Sequence, residues 1–470
     1  MNPGKAIIAI IVATLSGGCA TFSEDGGTQK VTEALGSRGV TQQAPWIKTD
    51  ADAARASDRV RALLAQPLTA DNAVQIALLN NRGLQAAYAE IGIAEAELVQ
   101  AGRLRNPGFS FGRTHRADDV EYERTFIFDL MGLLTMPLRT QLERERFELA
   151  QGRMAADIMQ VAADTRRAWF SAVAAQQSAV YAEQVKSAAE AASELARRMV
   201  NAGNFSKLDQ AREQAFYADA TAQLARARQQ ALAERERLIR LLGLWGNDIA
   251  FKLPERLPDL PPSLRDATDI ERQAMQQRLD VQDAVRNAEN IANSLGLTKA
   301  TGYFSVLEAK YIRNSESGQP RKTGYEIELR LPIFDTGSAK VARAENTHRQ
   351  AVNRAADLAI RARSEVREAY GAWRTSYDLA RHYRDEVVPL RARISEETLL
   401  RYNGMLMSVF ELLAESRQQV SAVINAIEAQ RDFWLADTTL QFTINGKSPG
   451  AISATGGSLR AAAPAAEAGH

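Results

Sequence analysis

"YEIELRLPIFDTG", residues 325–337, is a run of a kind this chain almost lacks. Its alternation is strict: Tyr325, Ile327, Leu329 and Leu331 point one way, Glu326, Glu328 and Arg330 the other. A period of two sends successive side chains to opposite faces of a strand, so one face is apolar and the other charged. Gly337 closes the run, and the residues beyond it read as helix for a long distance. A helical chain carrying a two-faced strand needs a reason for it.

A second strand-like stretch, "TGYFSVLEAKYI", lies just upstream, joined to the first by the polar loop "RNSESGQPRKT". Another pair, "GFSFGRTHR" and "VEYERTFIF", occurs in the first half around a turn at Ala117-Asp118-Asp119. There Phe109 and Phe111, and Phe126 and Phe128, keep the same period. Elsewhere the chain reads as helix. "PLTADNAVQIALLNN" opens one with Thr69 or Asp71 as its cap, and Asn106-Pro107-Gly108 stops it. Pro137 permits a new start, and from Leu138 to Asn201 the sequence reads as about 64 helical residues, or ~96 Å. Gly152 is the one glycine in that stretch. "NAGNFS" breaks it, and a shorter helix runs from Lys207 to about Gly243. The proline-rich "KLPERLPDLPP" favours extended backbone. A helix from about Leu264 to Lys299, the second strand pair, a long helix from Ser338 to Arg401, the break "YNGMLM" and a helix from Ser408 complete the series.

The order helix, strand pair, long helix, break, helix is thus given twice, with "NAGNFSKLDQARE" facing "YNGMLMSVFELLAES". That is a duplication rather than a short-period solenoid. The expected divisions are a leader over 1–18, an arm over 19–68, a first repeat over 69–265 with strands at about 108–131, a second over 266–444 with strands at about 300–334, and a low-complexity tail over 445–470.

The 470 residues carry 58 basic and 57 acidic groups, a formal net charge of +1, which argues against nucleic acid as a partner. His115, His348, His382 and His470 share no ligand spacing, and no phosphate-binding loop, nucleophile motif or paired Cys/His set occurs. The sequence offers no catalytic residue, metal site or cofactor. "MNPGKAIIAIIVATLSGGCA" reads as an export leader, too short for a spanning helix. Its small residues before Cys19 resemble a lipoprotein signal, with Cys19 the lipidated residue, although Ser16 stands where a leucine is usual. No later segment is apolar enough for a membrane helix.

Two short helices end to end match one long helix, so the helices suggest four antiparallel rods of ~100 Å. In that arrangement the Lys207 helix stacks on the Leu264 helix, the Thr69 helix on the Ser408 helix, and the proline-rich segment forms a collar at the seam. On the helices alone, a long coiled-coil rod acting as a periplasmic scaffold is the better reading. The strands argue otherwise, because both pairs sit at the same end of the rods and ~10 residues cross a bilayer when tilted. Tyr325, Ile327, Leu329 and Leu331 would then meet lipid, and Glu326, Glu328 and Arg330 the lumen. Four strands cannot close, and an open edge in lipid is prohibitively costly. Three copies would give twelve strands with a wet interior.

Four stretches carry a resemblance: "ALLNNRGLQAAYAEIGIAEAELVQAGRLRNPGFSFG", "LRLPIFDTGSAKVARAE", "KLPERLPDLPP" and "RYNGMLMSVFELLAESRQQVSAVINAIEAQRDFWLADTTL". Over Leu68 to Ile444 the chain resembles the outer membrane efflux protein family, TolC-like channels of the lipoprotein subgroup. The resemblance implies a mainly α fold, a long helical barrel joined to a 12-stranded β-barrel shared by a homotrimer. It implies a lipid-anchored duct in the outer membrane of a Gram-negative bacterium, reaching through the periplasm to a periplasmic adaptor and an inner-membrane transporter. Type I protein secretion is an alternative use of the same duct. By the same resemblance Asp209 and Glu411 would ring the periplasmic aperture, where mutual repulsion raises their pKa values, and Gly203, Asn204, Gly404 and Met405 would be adaptor-docking tips. First-turn acids that complement a helix dipole are the plainer reading of Asp209 and Glu411. Met405 and Met407 are thioethers suited to soft cations, though packing or docking is the commoner role of such a pair. The first half's strand-to-helix turn, "FDLMGLLTMPLRT", is a poor copy of the second half's, and the tip "NGMLMS" is expected to be one residue longer than "AGNFS".

Overall fold

A computed structural model describes residues 21–116, 119–264, 269–301, 306–329, 334 and 336–448. The leader, Cys19, Arg330, Leu331 and nearly all of the tail lie outside the described residues. The arm contains two helices, α1 (Thr28–Gly36) and α2 (Asp50–Leu64), the second opened by a capping box between Thr49 and Asp52. The first repeat then supplies α3 (Ala70–Asn80), α4 (Arg82–Ala101), β1 (Gly108–Arg116), β2 (Asp119–Asp129), α5 (Leu130–Asn201) and α6 (Lys207–Leu242). The second supplies α7 (Ile270–Gln277), α8 (Leu279–Thr301), β3 (Leu307–Glu316), β4 (Lys322–Leu329), α9 (Ser338–His382), α10 (Val388–Asn403) and α11 (Val409–Asn445). A π turn, Tyr383–Val387, joins α9 to α10 with Pro389 just beyond it.

Three helix boundaries differ from the sequence reading. The Thr69 hydroxyl caps α3 as expected, accepting from Asn72 N at 3.2 Å, but the helix stops at Asn81, whose ψ of 112° is extended and whose side chain caps α4 in turn. The helix expected from Leu264 is likewise divided at Arg278, ψ 120°. Helix α5 begins seven residues before Pro137 because Asp129 accepts from Gly132 N at 2.7 Å and fixes the first turn; the helix is 72 residues long, ~108 Å. Proline there forgoes one N–H but has a φ that a helix accepts.

The stacking of the rods also differs. Helix α6 ends on the α3–α4 junction, where Asn80 Nδ2 donates to Leu242 O and Gly243 O at 3.1 and 2.6 Å. Helix α11 ends on the start of α8, with Asp280 N donating to Gly446 O at 3.3 Å. Each repeat therefore closes on itself; the Lys207 helix meets the Thr69 helix, and the Ser408 helix meets the second-repeat helix, the reverse of the expected pairing. Sequence composition cannot distinguish the partners, because the caps that choose them act through a single Asn carboxamide and a single backbone carbonyl.

The core is concentrated at this middle level. Trp169, Leu238, Leu242, Phe251 and Leu257 pack there with Leu68 and Ile76. The proline-rich segment, expected as a collar at a seam between the Lys207 and Leu264 helices that does not form, instead crosses α5, α9 and α11, and its carbonyls are taken up by long side chains: Trp434 Nε1 donates to Pro258 O at 3.0 Å, Tyr377 Oη to Pro261 O at 3.0 Å and Gln176 Nε2 to Pro254 O at 3.3 Å. Prolines cannot join a ladder as donors, so acceptors are what they offer. Arg278, wholly buried at its break, is held by Asp280 at 2.8 Å and Glu365 at 2.5 Å. Close by, Gly152 lets Asp283 approach α5, since a Cβ there would lie 2.3 Å from Asp283 Oδ1. Toward the tips the core thins to Val185, Ala189 and Ala220 between α5 and α6.

Candidate functional site: a two-faced sheet and two helical tips

The four strands form one antiparallel sheet in the order β1-β2-β3-β4. The β2–β3 pairing joins the repeats, and β1 and β4 are its edges. Register fixes the faces. Phe109, Phe126, Tyr311 and Tyr325 form one cross-strand row, and Phe128, Ala309 and Ile327 the next row on the same side, followed by Leu307 and Leu329. Glu326, Lys310 and Ile127 lie on the other side, as do Glu328, Glu308 and Asp129. Tyr325, Ile327 and Leu329 thus share a face opposite to that of Glu326 and Glu328. The apolar face is bare: Tyr325 is 85% exposed and Ile327 63%, with Phe109, Phe111, Phe126, Phe128 and Tyr311 also open. Leaving that many large apolar side chains in water forgoes on the order of 10 kcal/mol per chain. On the polar face Lys310 Nζ meets Glu326 at 3.0 Å and Glu328 at 2.7 Å.

The tips at the far end are closely matched. Residues 201–206 and 403–408 have equal length, so the expected extra residue in the second tip is not there. Gly203 N donates to Val200 O at 3.0 Å and Asn204 N to Met199 O at 2.9 Å; Met405 N donates to Tyr402 O and Leu406 N to Arg401 O, both at 2.9 Å. The left-handed position is filled by Gly203, φ +77°, in one tip and by Met405, φ +60°, in the other. Gly404, φ −80°, therefore corresponds to Ala202 and not to Gly203. Met405 is 94% exposed, beside Leu406, which is also open.

Asp209 and Glu411 are the third residues of α6 and α11. Ser206 and Ser408 cap these helices, and Glu411 completes a capping box by accepting from Ser408 N at 2.9 Å. Hydrogen bonds from the Ser408 N–H and hydroxyl hold Glu411 below the usual carboxylate range within the single chain. Asp209 pairs with Arg212 at 3.2 Å. Each acid is tied to its own helix start, and no bond joins the two.

Sequence reading missed the residues one turn further on. Glu213 is 2% exposed and bridges α6 to α11 through Arg417 at 3.2 Å; burial pushes its carboxyl up. Glu415 pairs with Arg391 at 3.1 Å. The signal was present as a repeated spacing, Asp209–Glu213 and Glu411–Glu415, four residues apart in both repeats. An open groove of about 660 Å³ lies between α10 and α11, lined by Leu390, Arg393, Glu397, Met407, Glu411 and Glu415. Among the described residues no group of three metal-ligating side chains occurs, and no helix is long and apolar enough to cross a membrane.

Comparison with known proteins places this arrangement. Residues 73–244 match the family described as outer membrane efflux protein. No curated protein matches the chain significantly. Among solved structures, CusC, described as undergoing conformational changes that accompany folding and transmembrane channel formation, is similar with TM-score 0.66 at 16% identity, covering 83% of this chain and 92% of its own. The outer membrane protein VceC of Vibrio cholerae gives 0.65 at 13%, covering 84% and 97%. The open-state MtrE outer membrane channel of Neisseria gonorrhoeae gives 0.64 at 17%, covering 80% and 88%. The resemblance to the outer membrane efflux protein family is therefore established, by sequence over residues 73–244 and by a TolC-like fold that CusC shares over 83% of the chain.

Proposed function

We propose that the protein is the outer-membrane duct of a tripartite efflux system, conducting passively what an inner-membrane transporter and a periplasmic adaptor deliver. The observation that carries this reading is the sheet: four strands, one bare apolar face, one charged face, and two open edges, at one end of rods ~100 Å long. Unpaired edges are not tolerated in hydrocarbon, and joining β4 of one copy to β1 of the next satisfies both. Three copies make twelve strands, with the Lys310–Glu326–Glu328 face lining water. The family match and the channel-like relatives support the same reading. On it, the tips around Gly203, Asn204, Gly404 and Met405 face the adaptor, and Asp209 and Glu411 lie at the narrow end of the tunnel. The test is to purify the full chain in detergent and insert it into planar bilayers. A heat-modifiable trimer with steady single-channel conductance is expected; a monomer without conductance would overturn the reading.

The arm supports lipid attachment at Cys19. Glu95 of α4 holds Ser23 through its N–H at 2.6 Å and its hydroxyl at 2.5 Å. Helix α4 runs on to the strands, and its end at Ala101 is ~9 Å beyond Glu95. The residues between Cys19 and Ser23 span at most ~14 Å, which keeps a lipid on Cys19 within reach of the membrane-side end. Mass spectrometry of the mature protein should find a diacylated and acylated cysteine at its N-terminus, and a Cys19→Ala variant that keeps the same lipid mass would refute it.

A further inference from the structure

The bare face of the sheet is sorted by charge as well as by polarity. Every acidic residue of the four strands, Asp119, Glu121, Glu123, Asp129, Glu308, Glu316, Glu326 and Glu328, lies on the opposite face by register. The bare face does carry arginines, all toward the hairpin end. Arg124 is the direct cross-strand partner of Arg313, and Arg113 stands one row further out, opposite Tyr122. Like charges placed directly opposite destabilise a strand pair, and among the described residues no carboxylate pairs with any of the three. Aromatic rings orient Arg113 and Arg124 instead. The Arg124 guanidinium carbon lies 6.0 Å from the Phe111 ring and 5.8 Å from that of Tyr122, and the Arg113 carbon 5.8 Å from Tyr122. Rings of this kind steer a cation without neutralising it.

We infer that Arg113, Arg124 and Arg313 bind the phosphate groups of anionic lipid in the membrane leaflet at the hairpin end. The inference rests on the membrane-duct reading, which puts this face in lipid. The row of Arg124 and Arg313 stands three rows from Leu329, roughly 20 Å along the strands and ~14 Å along a barrel axis at a 45° tilt. Exposed Leu133, Leu134 and Leu138 in the first turns of α5 extend the apolar band by roughly 10 Å the other way. The band then approaches the ~25 Å of a transmembrane barrel, and the arginines fall at its headgroup border. Planar guanidinium forks match phosphate oxygens in pairs, and a lipid phosphate supplies the missing counter-charge to two facing arginines.

The test is native mass spectrometry of the full-length detergent-solubilised trimer titrated with phosphatidylglycerol, with inorganic phosphate as a competing arm. Wild type should retain phosphatidylglycerol, and an Arg124→Gln/Arg313→Gln trimer should bind it about thirty-fold more weakly, near a factor of five for each basic group lost at an anionic surface. Arg124→Lys/Arg313→Lys should recover most of the binding. Both variants should conduct like wild type in a neutral-lipid bilayer. Equal lipid retention by wild type and the Gln variant, with trimer and conductance intact, overturns the inference alone. Displacement of the lipid by inorganic phosphate at equal concentration overturns the assignment to lipid. A wild-type chain that forms no trimer overturns the duct reading itself.

Discussion

Single residues show how the two repeats have been differently equipped. Met405 holds a left-handed backbone, φ +60°, that costs an ordinary L-residue roughly 1 kcal/mol and glycine nearly nothing. Met405→Gly should therefore protect the Leu406 amide, which donates to Arg401 O, by about fivefold in hydrogen exchange; unchanged or faster exchange would show that the turn is not strained. Asp283 is the clearest titrating group. Burial against α5 raises its carboxyl to about 6, although Arg286, Arg153 and Arg38 act the other way. Its folded pKa exceeds the unfolded value, so the native state holds the extra proton between about pH 4 and 6, and stability falls as pH rises through that window. Thermal unfolding of the detergent-solubilised trimer should show this fall for wild type and a shallower one for Asp283→Asn; parallel curves would exclude Asp283 as the cause. Gly152 was conspicuous in the sequence as the one glycine between Leu138 and Asn201. Its reason, the close approach of Asp283, was not visible there because the partner is more than a hundred residues away.

At the scale of elements, hydrophobic period was a sound guide to type and a poor guide to continuity. The alternation at residues 325–329 gave the strand and the sorting of its residues onto two opposite faces, because a period of two leaves no choice of side. The breaks at Asn81 and Arg278 were not legible, since the flanking residues continue the helical pattern through both. A buried arginine is what holds the second break. Arg278→Ala would leave Asp280 and Glu365 facing each other without a cation, at a cost of about 3 kcal/mol. The measurable result is a lower midpoint in urea for the variant, with faster exchange at the start of α8; an unchanged midpoint would mean that Ser448, which donates to both acids, suffices by itself. The tips teach a related lesson. Aligning glycine with glycine misplaced the second tip by one residue, whereas aligning the caps Ser206 and Ser408 matches the backbone–backbone hydrogen bonds of the two turns.

For the whole molecule the deciding quantity is the exposed sheet. On the proposed reading, a chain that leaves this face bare with two open edges needs company, as one that buried it internally would not. Leu329→Asp places a charge in the apolar band near its helix side, at a cost of several kcal/mol per copy in hydrocarbon. Trimers should be lost from the membrane fraction, while circular dichroism of the remaining protein keeps its helical signal. Normal trimer yield from this variant would mean that the face does not meet lipid. The resemblance to outer membrane efflux proteins was readable from the residues alone. The pairing of rods did not emerge from sequence, because it is chosen by single contacts at helix ends.

The unequal turns have a further consequence for any ring built from this chain. Its backbone would repeat six times around the axis and its chemistry only three, with bare glycine backbone alternating with a protruding thioether. A body docking on that crown would meet two kinds of seat in alternation. It must either carry the same alternation itself or grip only the backbone that both seats share.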